Sequence, residues 1–272
     1  MDDPTPTRLL AILLLAILTA GALLAQEDPA PYEPVHRDPV GTRLIDLPTP
    51  FAVGQRQIEV LFTHRFQQTV NQGSVHDLWG LDSGADVGIG VSAGVARNLD
   101  LEVYRSSFQE DFELAGKFLV IEQAPRVPLS LALRAGADLL QRSGVDDRRR
   151  PFGQLVVSRR FAPGVNLFLV PSWVRDTPRL RNAWNLPVGM TVPLPGNSLL
   201  EVEYVPKNRD LPESVAAWHA ALSKSVGGHI FELVVGNSRA TTVDQYLGGD
   251  SAAGFKAGDV RLGFNLVRDF NF

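Results

Sequence analysis

The stretch Gly84-Ala-Asp-Val-Gly-Ile-Gly-Val-Ser-Ala-Gly-Val95 places apolar side chains at every second position. The valine, isoleucine and alanine side chains from Val87 to Val95 fall on one face, and aspartate, serine and glycine fall on the other. An α-helix would spread both sets around its circumference, and the glycines would destabilise it. The stretch therefore predicts a β-strand with one apolar and one polar face.

The same alternation recurs along most of the chain and predicts an all-β protein of about twelve strands. The predicted strands are 55–66, 84–95, 99–107, 112–122, 127–137, 151–161, 165–173, 182–192, 198–206, 214–225, 228–237 and 258–272. Short connections alternate with longer ones, with 108–111 as the short exception among the long set. This alternation is typical of an outer-membrane barrel, which has tight periplasmic turns and long outer loops. We predict a closed, antiparallel, up-and-down transmembrane β-barrel.

In such a barrel the apolar faces meet lipid and the polar faces line the interior. Burying this many charges in a dry core would be prohibitive unless all were paired, whereas a hydrated lumen holds them at little cost. Carboxylates outnumber cations in the set, so an open lumen would favour cations. The alternative is that the charges form ion pairs that stiffen a plugged barrel. The predicted lumen-lining residues are Glu59, Arg65, Asp86, Asp100, Glu102, Glu113, Lys117, Arg134, Glu201, Glu203, Glu232 and Arg261.

Residues 1–25 carry an apolar run after Arg8 and small residues up to Ala25, which predicts a cleaved signal peptide for the general secretory route. Residues 26–54 are rich in proline, which resists helix and sheet, and predict an extended periplasmic arm. Residues 55–272 form the predicted outer-membrane barrel. The chain has 272 residues, a formal net charge of −4 and no cysteine, which excludes thiol chemistry and disulfides and gives no reason to expect a nucleic-acid partner.

The last predicted strand alternates to the end of the sequence, with Phe270 and Phe272 on one face. A terminal aromatic residue on such a strand is typical of the signal that outer-membrane barrels present to the barrel assembly machinery. The expected partners are therefore outer-membrane lipid and that machinery. Lipopolysaccharide is a further candidate, since Arg148-Arg149-Arg150 could bind its phosphates; a solvated charge run is the plainer interpretation.

Two loops contain candidate site residues, which are Asp82, Ser83, Asn237, Arg239 and Asp244. Ser83 with His64 or His76 and an aspartate has the residue types of a hydrolase triad, but it lies in no G-x-S-x-G motif, and a loop folded over the barrel rim is the simpler interpretation. The loop from Gly236 to Asp250 is rich in hydrogen-bonding groups and either grips a ligand or is an ordered structural loop. No histidine pair has metal-ligand spacing, so no metal, cofactor or catalytic residue is predicted.

Several stretches together resemble a family of bacterial outer-membrane β-barrel proteins known only as a domain of unknown function. They are Phe62-Thr-His-Arg-Phe66, Asp77-Leu-Trp-Gly-Leu-Asp-Ser-Gly-Ala85, Tyr104-Arg-Ser-Ser107, Glu113-Leu-Ala-Gly-Lys117, Leu129-Ser-Leu-Ala-Leu-Arg134, Ser158-Arg-Arg-Phe161, Glu203-Tyr-Val-Pro206, Gly227-Gly-His229, Gly236-Asn-Ser-Arg-Ala-Thr-Thr-Val-Asp-Gln-Tyr246 and Gly263-Phe-Asn-Leu266. The resemblance runs from about Leu47 to Phe272 and implies the barrel fold and outer-membrane location. It implies no activity.

The function expected from these observations is a passive pore, or a transport or structural barrel, for an unknown small solute. Two alternatives remain open. One is a barrel-embedded hydrolase that uses Ser83, and the other is a docking platform whose proline-rich arm binds a periplasmic partner.

Overall fold

The structure is a computed structural model that describes residues 41–141, 149–161, 164–177, 182–208, 211, 214–248 and 258–271. Within these residues it contains fourteen β-strands and one short α-helix. The strands are β1 (Gln57–Phe66), β2 (Ala85–Ala96), β3 (Leu99–Ser106), β4 (Asp111–Ile121), β5 (Ser130–Leu140), β6 (Arg149–Phe161), β7 (Val165–Leu169), β8 (Ser172–Val174), β9 (Ala183–Asn185), β10 (Val188–Leu194), β11 (Ser198–Val205), β12 (Ala217–Val226), β13 (His229–Gly236) and β14 (Arg261–Asn271). The helix is α1 (Val243–Leu247), and short 3₁₀ turns lie at Val70–Gln72, Val75–Gly80 and Phe108–Glu110.

The sheet closes on itself. All neighbouring strands pair antiparallel, and the first strand, β1, pairs with the last, β14, from Gln57 opposite Asn271 to Arg65 opposite Gly263. A closed sheet leaves no free edge, which is what a β-structure needs in a membrane. The predicted closed antiparallel barrel is confirmed.

Two of the twelve predicted strands are each divided in two. The strands β7 and β8 are separated at Pro171, and β9 and β10 are separated at Pro187. Proline has no N–H to donate to the ladder, but the carbonyls of Pro171 and Pro187 still accept from Leu155 N and Val170 N at 2.9 Å. If each divided pair is counted as one strand, the described residues form a barrel of twelve strands, as the alternation predicts.

The two faces of the sheet are oriented as predicted. Ile89, Leu101 and Val103 are more than half exposed, whereas the polar residues at the intervening positions, such as Asp100, are buried. Because the sheet is closed, the buried face is the interior and the exposed apolar face is the outer surface. This orientation matches a barrel whose outer surface meets acyl chains.

The interior is filled by two segments that are not part of the wall. We name residues 41–53 the inner segment and residues 237–248, which include α1, the inward loop. Nearly every residue of both is buried. The two meet within the barrel, where Arg43 Nη1 donates to Thr241 O at 3.0 Å.

The inner segment corrects one prediction. The proline content predicts that all of residues 26–54 form an extended arm outside the folded domain, but residues 41–53 lie within the barrel. The prolines do keep this segment out of the sheet, yet Leu44, Ile45 and Leu47 are buried and pack against the wall and the inward loop. Residues 26–40 lie outside the described residues.

The chain passes from the inner segment into β1 through a tight turn. Gly54 has a φ of +95°, and a Cβ added at Gly94 of the neighbouring strand would lie 1.8 Å from Gly54 O. Only glycine permits this approach of the two backbones. Among the described residues, no helix has the length and apolar character that would let it cross a bilayer.

Candidate functional site

The candidate site is the charged interior, where the wall meets the inner segment and the inward loop. All twelve of the predicted lumen-lining residues lie on the inner face. Eleven are buried, and the side chain of Glu102 is 12% exposed. The alternation of each strand produces this arrangement because every second side chain of a closed sheet points inward. We describe the groups from the centre of the barrel outward.

Two arginines and two glutamates form a network at the centre. Arg43 of the inner segment donates through Nε to Glu102 at 2.9 Å and through Nη2 to Glu113. Arg134 of β5 contacts the same two carboxylates, with Nη2 3.0 Å from Glu102 Oε2. Burial opposes the charge of Arg43, but the two carboxylates more than compensate and raise its pKa well above the usual value. Two positive charges therefore balance two negative charges, as a buried network requires.

A second group of contacts fixes the backbone of the inner segment. The carboxylate of Glu203, on β11, accepts from the backbone N–H groups of Ile45, Asp46 and Leu47 at 2.9, 3.0 and 2.8 Å. These donors have no sheet partner because the segment is not a strand. One wall carboxylate therefore satisfies three buried donors, and hydrogen bonds to a charged acceptor are the stronger kind.

Two further wall carboxylates do the same at other points of the segment. Glu59 of β1 accepts from Thr42 N at 3.0 Å and from the Thr42 hydroxyl. Asp100 of β3 accepts from Val53 N at 3.1 Å. The acidic residues that the sequence assigns to a wet lumen are thus largely acceptors for the segment that occupies it.

Two cations and one histidine on the inner face also contact the inner segment. Lys117 Nζ donates to a backbone carbonyl of the segment, that of Phe51, at 2.5 Å, and it lies 3.5 Å from Asp100 Oδ2. Arg65 Nη2 lies 2.9 Å from Asp46 Oδ1. On the opposite side of Asp46, Nδ1 of the buried His219 lies 3.2 Å from Asp46 Oδ2.

Two inner-face glutamates differ in how they are satisfied. Glu232 of β13 accepts from Asn265 Nδ2 at 2.6 Å, and Asn265 Nδ2 also donates to Ile45 O at 3.1 Å. Glu201 of β11 is fully buried, and neither of its carboxylate oxygens has a hydrogen-bond partner. Glu201 therefore makes no hydrogen bond to the inner segment, in contrast to Glu203 on the same strand.

The inward loop brings three of the five candidate loop residues into the barrel. Asn237 bridges to β12, accepting from Trp218 N at 2.8 Å and donating to Ala216 O at 2.8 Å. Arg239 forms an ion pair with Asp86 of β2. The Asn237 carbonyl also accepts from Arg261 Nη1 at 3.2 Å.

The third residue, Asp244, lies on α1 and forms a buried ion pair with Arg150 of β6. Nearby, Tyr246 OH accepts from Gln154 Nε2 at 2.9 Å, and burial raises the pKa of this tyrosine above its usual value. Val243 N donates to Glu113 Oε2 at 2.9 Å, which connects α1 to the central network. The inward loop is thus an ordered element bonded to several strands of the wall.

The other two candidate loop residues lie elsewhere, and no triad forms at Ser83. Its hydroxyl donates to the backbone carbonyls of Gly80 at 2.6 Å and Gly84 at 3.1 Å, and Asp82 is exposed. His76 is exposed, and His64 lies on the outer face, where its ring stacks on Phe264 at 4.8 Å. Ser83 thus closes a turn at the barrel rim.

The three successive arginines do not form one exposed clamp for phosphate. Arg149 is exposed, but the side chain of Arg150 points inward and is only 2% exposed. Arg148 lies outside the described residues. At the other end of the sheet, Phe270 is 48% exposed near the end of β14, and Phe272 also lies outside the described residues.

Sequence reasoning missed several interior residues. Asp111 and Asp138 share the inner face with predicted residues of β4 and β5, so the parity of those strands would have identified them. Arg43 and Asp46 were not predicted to be interior residues because they lie in the proline-rich stretch, which is predicted to be an extended arm. The available signal was the pair Leu44-Ile45, which is out of place in a solvated arm.

Comparisons with known proteins agree on the architecture. Residues 40–270 match the family described as Membrane bound beta barrel domain (DUF5777). A search of curated protein sequences found no match.

Two solved structures of outer-membrane proteins are among those to which this chain is similar. Outer membrane phospholipase A from Escherichia coli is 11% identical with a TM-score of 0.45, covering 86% of this chain and 98% of its own. A porin from Rhodopseudomonas blastica is 12% identical with a TM-score of 0.35, covering 68% of this chain and 55% of its own. This chain therefore spans about half the length of that porin.

Proposed function

The chain belongs to the family of membrane bound β-barrel domains (DUF5777), and on this basis we propose that it is an outer-membrane barrel held shut by its own inner segment and inward loop. It acts as a structural barrel or as a gated transport barrel for a small solute, not as a permanently open pore. The observation that carries this proposal is the position of Arg43. Its guanidinium contacts the inward loop at Thr241 O and the wall at Glu102 and Glu113.

The energetics of that position favour a closed barrel. Removing one partner from a buried charge network costs about 3–5 kcal/mol because the remaining charges are left uncompensated. Withdrawing the inner segment would remove Arg43 from Glu102 and Glu113 and would also free the carboxylates of Glu59 and Glu203. Passage of a solute therefore requires these contacts to be broken together.

The same contacts suggest what an opened barrel would conduct. With the inner segment displaced, Glu59, Asp100 and Glu203 would face the lumen without their backbone donors. An acidic lining attracts cations and repels anions. The gated form of the proposal is therefore cation-leaning, as the excess of carboxylates suggests.

Single-channel recording in planar bilayers tests the proposal. We expect the wild-type barrel to give no current steps above background, and we expect Arg43→Met to give intermittent, cation-selective openings. Arg126→Met is the matched control, because Arg126 is exposed in the turn between β4 and β5 and should leave the barrel silent. Steady conductance of the wild-type barrel would refute closure by the inner segment.

We also propose outer-membrane location after export, with assembly directed by β14. The apolar outer face and the family support it. The test is migration on SDS gels of outer-membrane fractions with and without boiling, because a closed barrel resists unfolding in cold detergent. Identical migration of the two samples, or recovery of the protein in the soluble periplasm, would contradict this location.

The two alternatives receive less support. The hydrogen bonds that the structure gives the Ser83 hydroxyl are all made with backbone groups, so no imidazole is hydrogen-bonded to it as a hydrolase would require. A docking role for the proline-rich arm cannot use residues 41–53, since they are enclosed by the wall, and it would fall on residues 26–40. A pull-down with and without residues 26–40 tests that role, and an unchanged set of partners would argue against it.

A further inference from the structure

Three aspartates converge where the inward loop meets the wall. Asp111 begins β4, Asp138 lies near the end of β5 and Asp244 lies on α1. One carboxylate oxygen from each lies within 4.8 Å of the others, and Asp111, Asp138 and Asp244 all have side chains that are fully buried. We propose that this cluster binds one hard divalent cation, of which calcium is the best fit.

The charges in the cluster are not balanced. Asp244 is paired with Arg150, and the nearby Glu113 is already neutralised in the network with Arg43 and Arg134. Three carboxylates and one guanidinium leave a formal charge of −2 in the cluster. Buried, unpaired carboxylates are very costly, and one divalent cation neutralises this charge.

The cluster also contains buried oxygens that accept no hydrogen bond. Asp111 Oδ1 and Asp138 Oδ1 are buried and accept no hydrogen bond. Beside them, Gln245 Nε2 donates to Asp111 Oδ2 at 3.1 Å, while Gln245 Oε1 has no partner, and this side chain is only 1% exposed. Native structures rarely leave buried acceptors unsatisfied, and a cation bound by these three oxygens would satisfy them together.

The chemistry of the donors indicates which cation fits. The available ligands are carboxylates, the Gln245 amide oxygen and the hydroxyl of Thr242, which lies 3.1 Å from Asp111 Oδ2 and 3.0 Å from Asp244 Oδ1. All are oxygens, which suits hard cations. Calcium accepts six to eight oxygens at about 2.3–2.6 Å from flexible all-protein cages, whereas magnesium usually keeps several waters. The three aspartate oxygens lie within 4.8 Å of one another, which is within the about 4.6–5.2 Å that separates opposite ligands of calcium.

The location gives the cation a structural consequence. Asp111 and Asp138 belong to the wall, and Asp244 belongs to the inward loop, which Asp244 N already ties to Asp138 Oδ2 at 2.9 Å. A cation bound by all three would cross-link the loop to two strands. Calcium would then stabilise the loop in its inward position.

The test uses the full-length barrel, purified in detergent and stripped with EDTA. We expect calorimetric titration with calcium to show about one bound ion per chain, and we expect calcium to raise the thermal midpoint by several degrees, as ligand binding to the folded state predicts. Magnesium should bind at least about tenfold more weakly.

Asp111→Asn and Asp138→Asn should each weaken calcium binding at least about tenfold, because ligand charge sets the affinity. Glu201→Gln is the matched control, since Glu201 is a buried inner-face carboxylate on the distant strand β11, and it should bind calcium as the wild type does. If an aspartate variant fails to fold, the proposal is tested by the wild-type protein alone, through its calcium binding and the change in its thermal midpoint when EDTA or calcium is added. No saturable calcium binding by the wild type, or equal binding by Asp138→Asn and the wild type, would overturn the proposal and leave protonation as the way in which the cluster is neutralised.

Discussion

Replacing Glu203 by alanine should release the inner segment from the wall. The carboxylate of Glu203 accepts three backbone N–H groups of that segment, from Ile45, Asp46 and Leu47. Alanine has no acceptor, and the segment has no alternative sheet partner at these positions. The donors would then be buried without hydrogen bonds.

The size of the effect follows from the number of donors. Each buried donor left without a partner costs about 1–3 kcal/mol, so three set a ceiling of about 3–9 kcal/mol. Water that enters the space of the lost side chain recovers part of this, and we expect a loss of about 3–5 kcal/mol. At about 1.4 kcal/mol per factor of ten, the population with a displaced segment should rise by roughly two to three and a half orders of magnitude.

Cysteine labelling can measure that population because the chain contains no cysteine. Leu47→Cys puts a single thiol in the buried part of the inner segment, where Leu47 is 1% exposed. Maleimide labelling of this thiol in folded barrels should be slow when Glu203 is present. In Glu203→Ala it should be faster by roughly two to three and a half orders of magnitude, the factor by which the displaced population rises. The Leu47→Cys change is present in both proteins, so its own cost cancels.

Glu201→Ala provides the control for the lost side chain. Glu201 is the same residue type, two positions away on the same face of β11, and its oxygens accept no hydrogen bond. It should leave the labelling rate of Leu47→Cys unchanged. Equal acceleration by Glu201→Ala and Glu203→Ala would show that cavity formation, not the backbone contacts, holds the segment, and our reasoning would then be wrong.

Three further predictions concern the outer face and the rim. Leu222→Arg, on the exposed face in the middle of β12, should lower the free energy of unfolding from lipid bilayers by about 2–4 kcal/mol, and an unchanged value in urea titrations would contradict lipid contact there. Hydrogen bonds from Ser74 N and Gln68 hold the pKa of Asp77 below its usual value, so the stabilisation that they give is present above about pH 4 and is lost as the pH falls further. The protection of Ser74 N against hydrogen exchange, relative to the intrinsic exchange rate at each pH, should fall in that range, and constant protection would refute this prediction. Ser83→Ala should leave any esterase turnover of the purified barrel unchanged, and a loss of turnover that depends on Ser83 would revive the hydrolase.

The barrel could be predicted from the sequence because the same alternation of apolar and polar residues applies to each strand of the wall. A two-residue period with one apolar face fixes which side chains point outward, and Val103 and Glu102 illustrate that it holds residue by residue. The breaks at Pro171 and Pro187 were also foreseeable in principle, since proline cannot donate to a ladder. Strand periodicity does not report them, because it counts side chains and not backbone donors.

The contents of the barrel could not be predicted in the same way. The contacts of Arg43 span 59 to 198 residues of sequence, to Glu102 and Thr241, and no local pattern encodes such pairs. The prolines of the inner segment correctly exclude strand and helix, but a segment without regular structure can be solvated or enclosed. What distinguishes the two is whether the wall offers acceptors such as Glu203, and that depends on the closed geometry.

The seam between β1 and β14 has a consequence for biogenesis. The inner segment immediately precedes β1, so pairing of β14 with β1 completes the enclosure of the residues that come just before β1. The segment must already be in place, or enter lengthwise through an end of the cylinder, because a sealed sheet offers no sideways route. Pairing of β1 with β14 is therefore coupled to packing of the inner segment. A nascent chain that lacks residues 41–53 would form a barrel with solvent in its interior.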